Sequence, residues 1–491
     1  MTPARCVMVL GTASGAGKSW LTTALCRWYA RQGLRVAPFK AQNMSNNARV
    51  VQGPGEDAGE IGSAQYFQAL AAHAVPDVRM NPLLLKPERD THSQVVLMGQ
   101  VSDELTRMPW RARSEHVWPH IAQALDELRA GNDVVVIEGA GSPAEINLHA
   151  SDIVNMRVAR HAGAACLLVT DIDRGGAFAH LYGTWALLPE GERALIRGFV
   201  LNKFRGDADL LAPAPQMLRE KTGIPVLATL PMWREHGLPE EDGVFDDRTR
   251  SHGAVTRTVA IVAYPRISNL DEFQPLVNVP GLRLVWARSP ADCAGADWIV
   301  LPGSKHTSAD LAWLRGQGLD AAVAAHAARG GAVLGICGGL QMLGEALVDV
   351  HGIDGNAPGL GLLPLVTAFE PAKTVRRTGV RFGALQGPWA TLSGLAVQGY
   401  EIHHGQTAQH PAMGDAGDVA RAVLPDALGW QSRGGHVLGV YLHGLFEDPG
   451  VLRALFGAQV PTLDVVFDAL AEVIDGCFAP GELMRLLEPL P

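Results

Sequence analysis

The chain has 491 residues, of which 47% are hydrophobic, and this length allows two or three domains with extensive cores. Its formal net charge is −9 and it has no basic cluster, which argues against a nucleic-acid partner. The six cysteines form no CxxC pair, so a disulfide framework or a zinc site is not indicated. No N-terminal targeting pattern and no membrane-length apolar run are visible, and we therefore expect a cytoplasmic enzyme without a membrane partner.

Short apolar runs alternate with helical patterns through the first half of the chain. The runs lie near residues 6–10, 35–39, 134–137, 166–170 and 197–201. This alternation predicts parallel strands joined by crossover helices, that is, an α/β domain with a parallel sheet.

A glycine-rich loop, Gly11-Thr-Ala-Ser-Gly-Ala-Gly-Lys18-Ser19, joins the first predicted strand to a helical pattern. Such a loop directs backbone N–H groups at phosphate, a lysine adds positive charge, and the serine hydroxyl can hold Mg²⁺. The strict P-loop spacing is not met, because Thr12 occupies the first glycine position; a loop beginning Gly-Thr resembles that of dethiobiotin synthetase and its relatives. The predicted nucleotide contacts in the loop are Thr12, Gly15, Gly17, Lys18 and Ser19.

Acidic residues follow two of the apolar runs. Glu138 ends the run 134–137, where Mg²⁺ bound to phosphates would lie, and we predict it as a metal ligand together with Ser19. Asp171 and Asp173 follow the next run and are predicted either as site residues that contact the substrate or as a solvated acidic turn. The run ending in Asn202 resembles the strand whose asparagine contacts adenine in such enzymes.

An acidic, turn-rich stretch at 235–247 marks a change of composition, after which a new series of apolar runs begins. The second series lies at 259–263, 282–286, 297–301, 332–336 and 436–442. The predicted domains are a nucleotide-binding synthetase domain at 1–245, a linker at 246–256, a second α/β domain at 257–450 and a helical appendage at 451–491. The glycine-rich stretch 403–418 is predicted to be a surface loop.

Cys337 ends the apolar run 332–336 and is followed at once by two glycines and a helical pattern. A strand-to-helix turn of this kind holds a nucleophile in a strained, exposed position that only flanking glycines tolerate. The start of the helix also favours a thiolate. A buried structural cysteine is the alternative, and the five glycines between 330 and 339 argue against it.

His443 is the best candidate for the base, because it ends another strand-like run at the same sheet. The segment Leu301-Pro-Gly-Ser304 offers backbone N–H groups at Gly303 and Ser304 for an oxyanion hole, and the predicted oxyanion residues are Gly303 together with Gly338, which follows Cys337. Together these pieces resemble a class I glutamine amidotransferase domain. That family has a glutamate two residues after the histidine, which is absent here, so the third member of the triad is Glu447, Glu401 or none.

Longer strings extend the resemblance to the whole chain. They include Phe39-Lys-Ala-Gln-Asn-Met-Ser-Asn-Asn47, Met80-Asn-Pro-Leu-Leu-Leu-Lys-Pro87 and Glu138-Gly-Ala-Gly-Ser-Pro-Ala-Glu-Ile-Asn-Leu148. The chain resembles the glutamine-dependent cobyric acid synthases. The resemblance implies amidation of the b, d, e and g carboxylates of a corrinoid with ATP, Mg²⁺ and glutamine. It also implies that Lys40 contacts the nucleotide, that Glu60 contacts the metal, and that Asn43, Asn46 and Asn47 lie near the corrinoid.

Three other functions are compatible with parts of this pattern. A sister amidotransferase acting on the a and c acetates shares both domains but lacks the Lys-Ala-Gln-Asn-Met-Ser string. A partitioning-type ATPase would require a further lysine early in the phosphate loop, and Thr12 to Gly17 contains none. A catalytically inactive binding protein is the third alternative.

Overall fold

The computed structural model describes residues 3–53, 58–89, 91–233, 236–239 and 254–489. Most of the predicted linker, residues 246–253, lies outside the described residues, as does most of the acidic stretch before it.

The first domain is built on a sheet of six parallel strands, which confirms the predicted α/β architecture. In spatial order the strands are Val226–Pro231, Ile196–Phe204, Ala165–Asp171, Arg5–Gly11, Val134–Glu138 and Val36–Phe39. Continuous apolar runs form these strands because both faces of the sheet are covered. Along the first strand, Met8 and Leu10 belong to one core, whereas Val7 and Val9 belong to the core on the opposite face.

Helices cover both faces of this sheet. They are Lys18–Arg31, Ser63–Ala71, Asp103–Arg107, Trp110–Gly131, Met156–Ala162, Ala177–Leu187, Glu190–Arg193 and Ala214–Thr222. Two small sheets extend the domain beyond the carboxyl ends of its strands. One contains Gln42–Met44, Leu83–Arg89, His92–Leu97 and Gln100–Val101; the other pairs Ala48–Gln52 with Ala58–Gly62.

The second domain has a seven-stranded sheet whose first five strands are parallel. In order they are Leu282–Ala287, Arg257–Val262, Trp298–Leu301, Ala332–Ile336, Val437–Val440, Gly429–Gln431 and Arg421–Leu424. Its longer helices are Thr307–Gly316, Leu319–Ala328, Gly338–Leu343 and Pro449–Phe456, with short ones at Gln274–Val277 and Pro411–Asp415. A short antiparallel pair joins Ile267–Ser268 to Gly303–Ser304.

The prediction of a surface loop at 403–418 is wrong for the first half of this stretch. Residues up to 409 belong to the strand Ala396–Gln409, which pairs with Leu365–Arg381 in a sheet that also contains Ala346–Val348 and Ala357–Pro358. His403, Gly405 and Thr407 are buried and alternate with more exposed neighbours, so one face of a polar strand is covered. The sequence analysis missed this strand because its buried residues are polar or small, so the alternation of buried and exposed positions does not show as an alternation of hydrophobic and polar residues.

The helical appendage predicted at 451–491 is divided between the two domains. The helix Pro449–Phe456 packs in the core of the second domain, whereas the helices after it pack on the first. Helix Leu463–Cys477, followed by Glu482–Arg485, returns to the first sheet and completes the core that contains the helix Lys18–Arg31. Arg27 Nε donates to Asp468 at 2.8 Å, and Trp28 Nε1 donates to Asp475 at 2.7 Å. The chain therefore passes through the second domain and then closes the first.

Leu470→Ala should destabilise the first domain, because Leu470 is fully buried in that shared core. We expect a loss of about 2–5 kcal/mol, measured as a lower denaturant midpoint for the unfolding transition of the first domain. Val465 is on the same helix but 58% exposed, so Val465→Ala is the matched control and should change stability by no more than about 0.5 kcal/mol. Equal effects of the two substitutions would contradict this packing.

Candidate active sites

Cys337 lies at the turn between the strand Ala332–Ile336 and the helix Gly338–Leu343, as the sequence predicts. Its backbone has φ 50° and ψ −106°, a conformation that L-residues rarely adopt and that stores strain. A side chain at Gly338 would place its Cβ 2.8 Å from the Ser304 nitrogen, and one at Gly339 would lie 1.9 Å from the Leu301 oxygen. The two glycines therefore let the turn press against the neighbouring loop.

His443 is held beside Cys337 by a carboxylate that the sequence analysis did not identify. Its Nδ1 lies 3.1 Å from Glu272 Oε1, and the Gly444 backbone N–H donates to Glu272 Oε2 at 3.0 Å. All of these groups are buried. A carboxylate on Nδ1 fixes the imidazole ring, so that the other ring nitrogen is left for the thiol.

The electrostatics of this pair favour a protonated histidine. Burial disfavours a charged imidazole, but the Glu272 carboxylate and the hydrogen-bonded Cys337 sulfur outweigh it and raise the pKa of His443 to about 10. Burial raises the pKa of Cys6 and of Cys293 to about 11, so those thiols are not reactive near neutral pH. The site can thus hold an imidazolium next to the cysteine sulfur.

The two glutamates proposed as a third triad member do not contact His443. Glu401 accepts hydrogen bonds from Arg376 and Thr378, and it lies 3.2 Å from His403 Nε2. Glu447 pairs with Arg49 of the first domain at 2.5 Å. Glu272 lies in the short 3₁₀ turn Leu270–Phe273, 171 residues before His443 in the sequence. No spacing rule connects two such distant positions, which is why the sequence did not reveal the contact.

The predicted oxyanion segment Leu301–Ser304 lies against His443 and against Gly338, the residue after Cys337. A Cβ at Gly303 would be 2.8 Å from His443 Cε1, and the Ser304 nitrogen lies beside Gly338. The turns bearing Cys337, His443 and Gly303 therefore meet at the carboxyl edge of the second sheet, where parallel strands collect functional groups.

The glycine-rich loop of the first domain has the backbone of a phosphate-binding loop. Gly15 and Gly17 have φ of 71° and 99°, values that favour glycine. A Cβ at Gly17 would fall 1.9 Å from Asn202 Nδ2, and that amide donates to the Ala16 oxygen at 2.9 Å. Thr12 Oγ1 donates to Thr170 Oγ1 at 3.0 Å, and Lys18 Nζ donates to the Gly141 oxygen at 3.0 Å.

Glu138 is the centre of a buried polar cluster next to this loop. Ser19 Oγ and Lys40 Nζ donate to its Oε1 at 2.8 and 2.9 Å, and Gln68 Nε2 donates to its Oε2 at 2.5 Å. Burial opposes ionisation of Glu138, but Lys40 and the two neutral donors lower its pKa overall. An ionised carboxylate beside a serine hydroxyl is a donor set that suits Mg²⁺.

The remaining acids around the loop are bound to basic side chains. Asp171 Oδ2 accepts from Lys203 Nζ at 3.1 Å, and the same ammonium donates to the Gly15 oxygen at 2.7 Å. Asp173 pairs with Arg205. Asp171 therefore supports the phosphate loop through Lys203.

Among the described residues, Glu60 forms no hydrogen bond or ion pair with Ser19 or Glu138, the other two predicted metal ligands. It is 1% exposed, and its two oxygens pair with Lys86 and with Lys373 of the second domain. Burial opposes ionisation, but the two ammonium groups hold the pKa of Glu60 at about 2. In this structure Glu60 joins the two domains.

The three predicted corrinoid contacts have different surroundings. Asn47 Oδ1 accepts from the Leu270 backbone of the second domain at 2.8 Å. Asn43 Nδ2 donates to Gln65 at 3.3 Å, and Asn46 Nδ2 donates to the Pro87 oxygen at 3.1 Å. Of the three, Asn46 also lines the cavity that contains Cys337.

The Cys337 side chain opens on a cavity of about 100 Å³ between the domains. The second domain supplies Cys337, Gln341 and His403, among others. The first domain supplies Asn46, Lys86, Glu88 and Gln94. A larger open pocket of about 1080 Å³ lies on the first domain near Arg35 and His73, and neither Cys337 nor any phosphate-loop residue lines it.

Within the ranges that the structure describes, no group of three or more His, Cys, Asp or Glu is arranged to hold a metal. In the same ranges no helix is both long and apolar enough to span a bilayer.

A phosphate-binding loop and a cysteine–histidine–glutamate site in one chain define a nucleotide-dependent enzyme of the glutamine amidotransferase type. Family models support both halves: residues 7–240 match the CobQ/CobB/MinD/ParA nucleotide binding domain, and residues 258–451 match the CobB/CobQ-like glutamine amidotransferase domain. A solved glutamine amidotransferase covers 44% of this chain and 98% of its own, with 16% identity and a TM-score of 0.31, too weak a likeness to support an inference.

Curated relatives match nearly the full length. A cobyric acid synthase of Paracidovorax citrulli is 79% identical over 97% of this chain and 98% of its own, and one of Variovorax paradoxus is 79% identical over 98% and 99%. The chain belongs to the cobyric acid synthase family. This finding confirms the resemblance seen in the sequence.

Glu272→Gln should shift the pH dependence of glutamine hydrolysis. Because the carboxylate stabilises the imidazolium, its removal should lower the pKa of His443 and move the alkaline limb of kcat/KM to lower pH by about 1–3 units. Glu401→Gln is the control, since Glu401 makes no contact with His443 and its substitution should not move this limb. A shift with Glu401→Gln alone would identify Glu401 as the partner instead.

Proposed function

We propose that this enzyme converts adenosylcobyrinic acid a,c-diamide to adenosylcobyric acid, by amidating the b, d, e and g carboxylates with ATP and glutamine. The family membership supports a corrinoid substrate, and the two matched domains support the use of nucleotide and glutamine. The sister activity on the a and c acetates is not favoured, because the reported full-length relatives are named cobyric acid synthases.

In the glutaminase half, the Cys337 thiolate attacks the side-chain amide carbon of glutamine. The oxyanion that forms is stabilised by backbone N–H groups at Gly303 and Gly338. His443 gives a proton to the departing nitrogen, ammonia leaves, and a glutamyl thioester remains. His443 then takes a proton from water, which hydrolyses the thioester and releases glutamate. Glu272 orients the imidazole throughout.

In the synthetase half, a corrinoid carboxylate attacks the γ-phosphorus of ATP, and ADP leaves. Ammonia then attacks the acyl carbon, phosphate leaves, and the nitrogen loses a proton to give the amide. Thr12, Gly15, Gly17 and Lys18 bind the phosphates, and Lys40 and Asn202 support the same site. Ser19 and Glu138 are the residues that would hold Mg²⁺, which supplies charge neutralisation on the phosphate oxygens.

The shared cavity carries this proposal. Cys337 faces a space whose other wall is Asn46, Lys86, Glu88 and Gln94 of the first domain. Ammonia released from glutamine at Cys337 is therefore formed next to residues of the first domain. An isolated glutaminase would have no need of such a wall, whereas a synthase that transfers nitrogen between domains requires one.

Cys337→Ser and Lys18→Ala should separate the two half-reactions. The wild type should add four amides to the diamide substrate, measured by mass spectrometry of the corrinoid. Cys337→Ser should lose synthesis from glutamine but keep synthesis from high ammonium, because the first domain needs only NH₃. Lys18→Ala should lose synthesis from either nitrogen source by several orders of magnitude, while some glutamine hydrolysis persists.

Different results would contradict the proposed roles of the glutaminase half and of the synthetase half. Loss of both nitrogen sources in a folded Cys337→Ser protein would show that Cys337 does more than release ammonia. Synthesis from ammonium without ATP hydrolysis in the wild type would exclude the acyl phosphate.

Glu138→Gln should weaken the use of metal. We expect a higher Mg²⁺ concentration for half-maximal synthesis and a lower maximal rate, with glutamine hydrolysis at least partly retained. Asp133 precedes the same strand at its opposite end and pairs with Arg35, so Asp133→Asn is the control and should leave the Mg²⁺ dependence unchanged. If Glu138→Gln also leaves it unchanged, Glu138 is a structural acid.

A further inference from the structure

Arg49 is a charged residue of the first domain that is buried in the interface with the second. It lies on the strand Ala48–Gln52 and is 1% exposed. The neighbouring backbone is fixed to the second domain, since the Ala48 N–H donates to Asn269 Oδ1 at 2.9 Å. The turn that begins after Asn269 carries Asp271 and Glu272.

The Arg49 guanidinium contacts three groups of the second domain. It pairs with Asp271 and with Glu447, the latter at 2.5 Å, and its Cζ lies 5.1 Å from the centre of the Tyr400 ring. Burial disfavours the guanidinium charge, but Asp271 and Glu447 outweigh it and raise the pKa of Arg49 well above its usual value. A buried ionised group needs such partners, and they in turn need the arginine.

Asp271, Tyr400 and Glu447 each either contact His443 or lie next to a residue that contacts it. Asp271 precedes Glu272, which is bonded to His443 Nδ1. The Tyr400 ring stacks on the imidazole with centroids 5.4 Å apart, and the backbone N–H of His443 donates to the backbone carbonyl oxygen of Tyr400 at 2.9 Å. Glu447 ends the 3₁₀ turn that starts after Gly444, whose N–H donates to Glu272 at 3.0 Å.

We propose that Arg49 of the first domain is a positioning residue for glutamine hydrolysis in the second, holding Glu272 and Tyr400 so that His443 is aligned with Cys337. This inference rests on the proposed function and extends it. Glutamine hydrolysis is then competent only when the synthetase domain is docked, which prevents release of ammonia by a separated second domain.

Substitution of Arg49 should separate the two activities. Arg49→Met leaves Asp271 and Glu447 buried without their cation, and we expect kcat for glutamine hydrolysis to fall by about 10- to 100-fold, because misalignment of a catalytic group by about 1 Å has an effect of this size. Synthesis from ammonium should stay within about 2-fold of the wild type, since Arg49 touches no residue of the phosphate loop or of the Glu138 cluster. Arg49→Lys keeps the charge and should restore part of the loss.

Arg377 provides a matched control at the same interface. Its Nε donates to the Val50 oxygen at 3.1 Å, and its Cζ lies 5.8 Å from the Tyr66 ring. Arg377 is opposite Tyr400 in the strand pairing, a backbone pairing that Arg377→Met retains, and its side chain forms no ion pair with Asp271, Glu272 or Glu447. Arg377→Met removes a contact between the same two domains. It should leave kcat for glutamine hydrolysis within about 2-fold of the wild type.

Tyr400→Leu provides a second variant if Arg49→Met does not fold, as judged by loss of synthesis from ammonium. It removes the ring between Arg49 and His443 and should show the same split between glutamine hydrolysis and ammonium-dependent synthesis. Equal loss of both activities in Arg49→Lys and Tyr400→Leu would overturn the inference, and so would unchanged hydrolysis in a folded Arg49→Met protein. A wild type without glutamine hydrolysis would instead overturn the proposed function, and this inference with it.

Discussion

Buried charges at the domain interface fix how the two domains pack against each other. Glu60 is enclosed by Lys86 and Lys373, and Arg49 by Asp271 and Glu447. Separating the domains would leave part of each cluster unpaired, and a buried ion without its partner is strongly destabilising. Such clusters specify one relative placement of the two domains more than they add stability. That placement closes the cavity at Cys337.

Both chemical sites follow from one rule of parallel sheets, that functional groups gather at the carboxyl ends of the strands. In the first sheet this edge carries the phosphate loop and Glu138; in the second it carries Cys337 and His443. The small sheets containing Gln42–Met44 and Ala48–Gln52 extend from the first edge towards the second domain. They therefore connect the sheet edge that carries the phosphate loop with the domain that carries Cys337.

The path of the chain reinforces this connection. After the second domain, the helix Leu463–Cys477 returns to complete a core of the first, so the second domain is anchored at both of its ends. Arg27 is buried beneath this helix and bonded to Asp468. A truncation after the second domain would remove part of the core that supports the phosphate-loop helix, although it deletes no residue of either site.

The local features of the chain could be predicted from its amino-acid sequence. The strands, the phosphate loop and the strained turn at Cys337 each depend on neighbouring residues, whose apolar runs and glycines are readable in order. The contacts between residues far apart in the chain could not be predicted in this way, because they depend on how the domains fold and pack. Glu272 reaches His443 from 171 residues away, Glu60 pairs across the interface, and the tail packs on the first domain. Polar strands such as Ala396–Gln409 were missed because burial of one face, not composition, stabilises them. Contacts of this kind are set by how whole domains pack, and no sequence spacing encodes them.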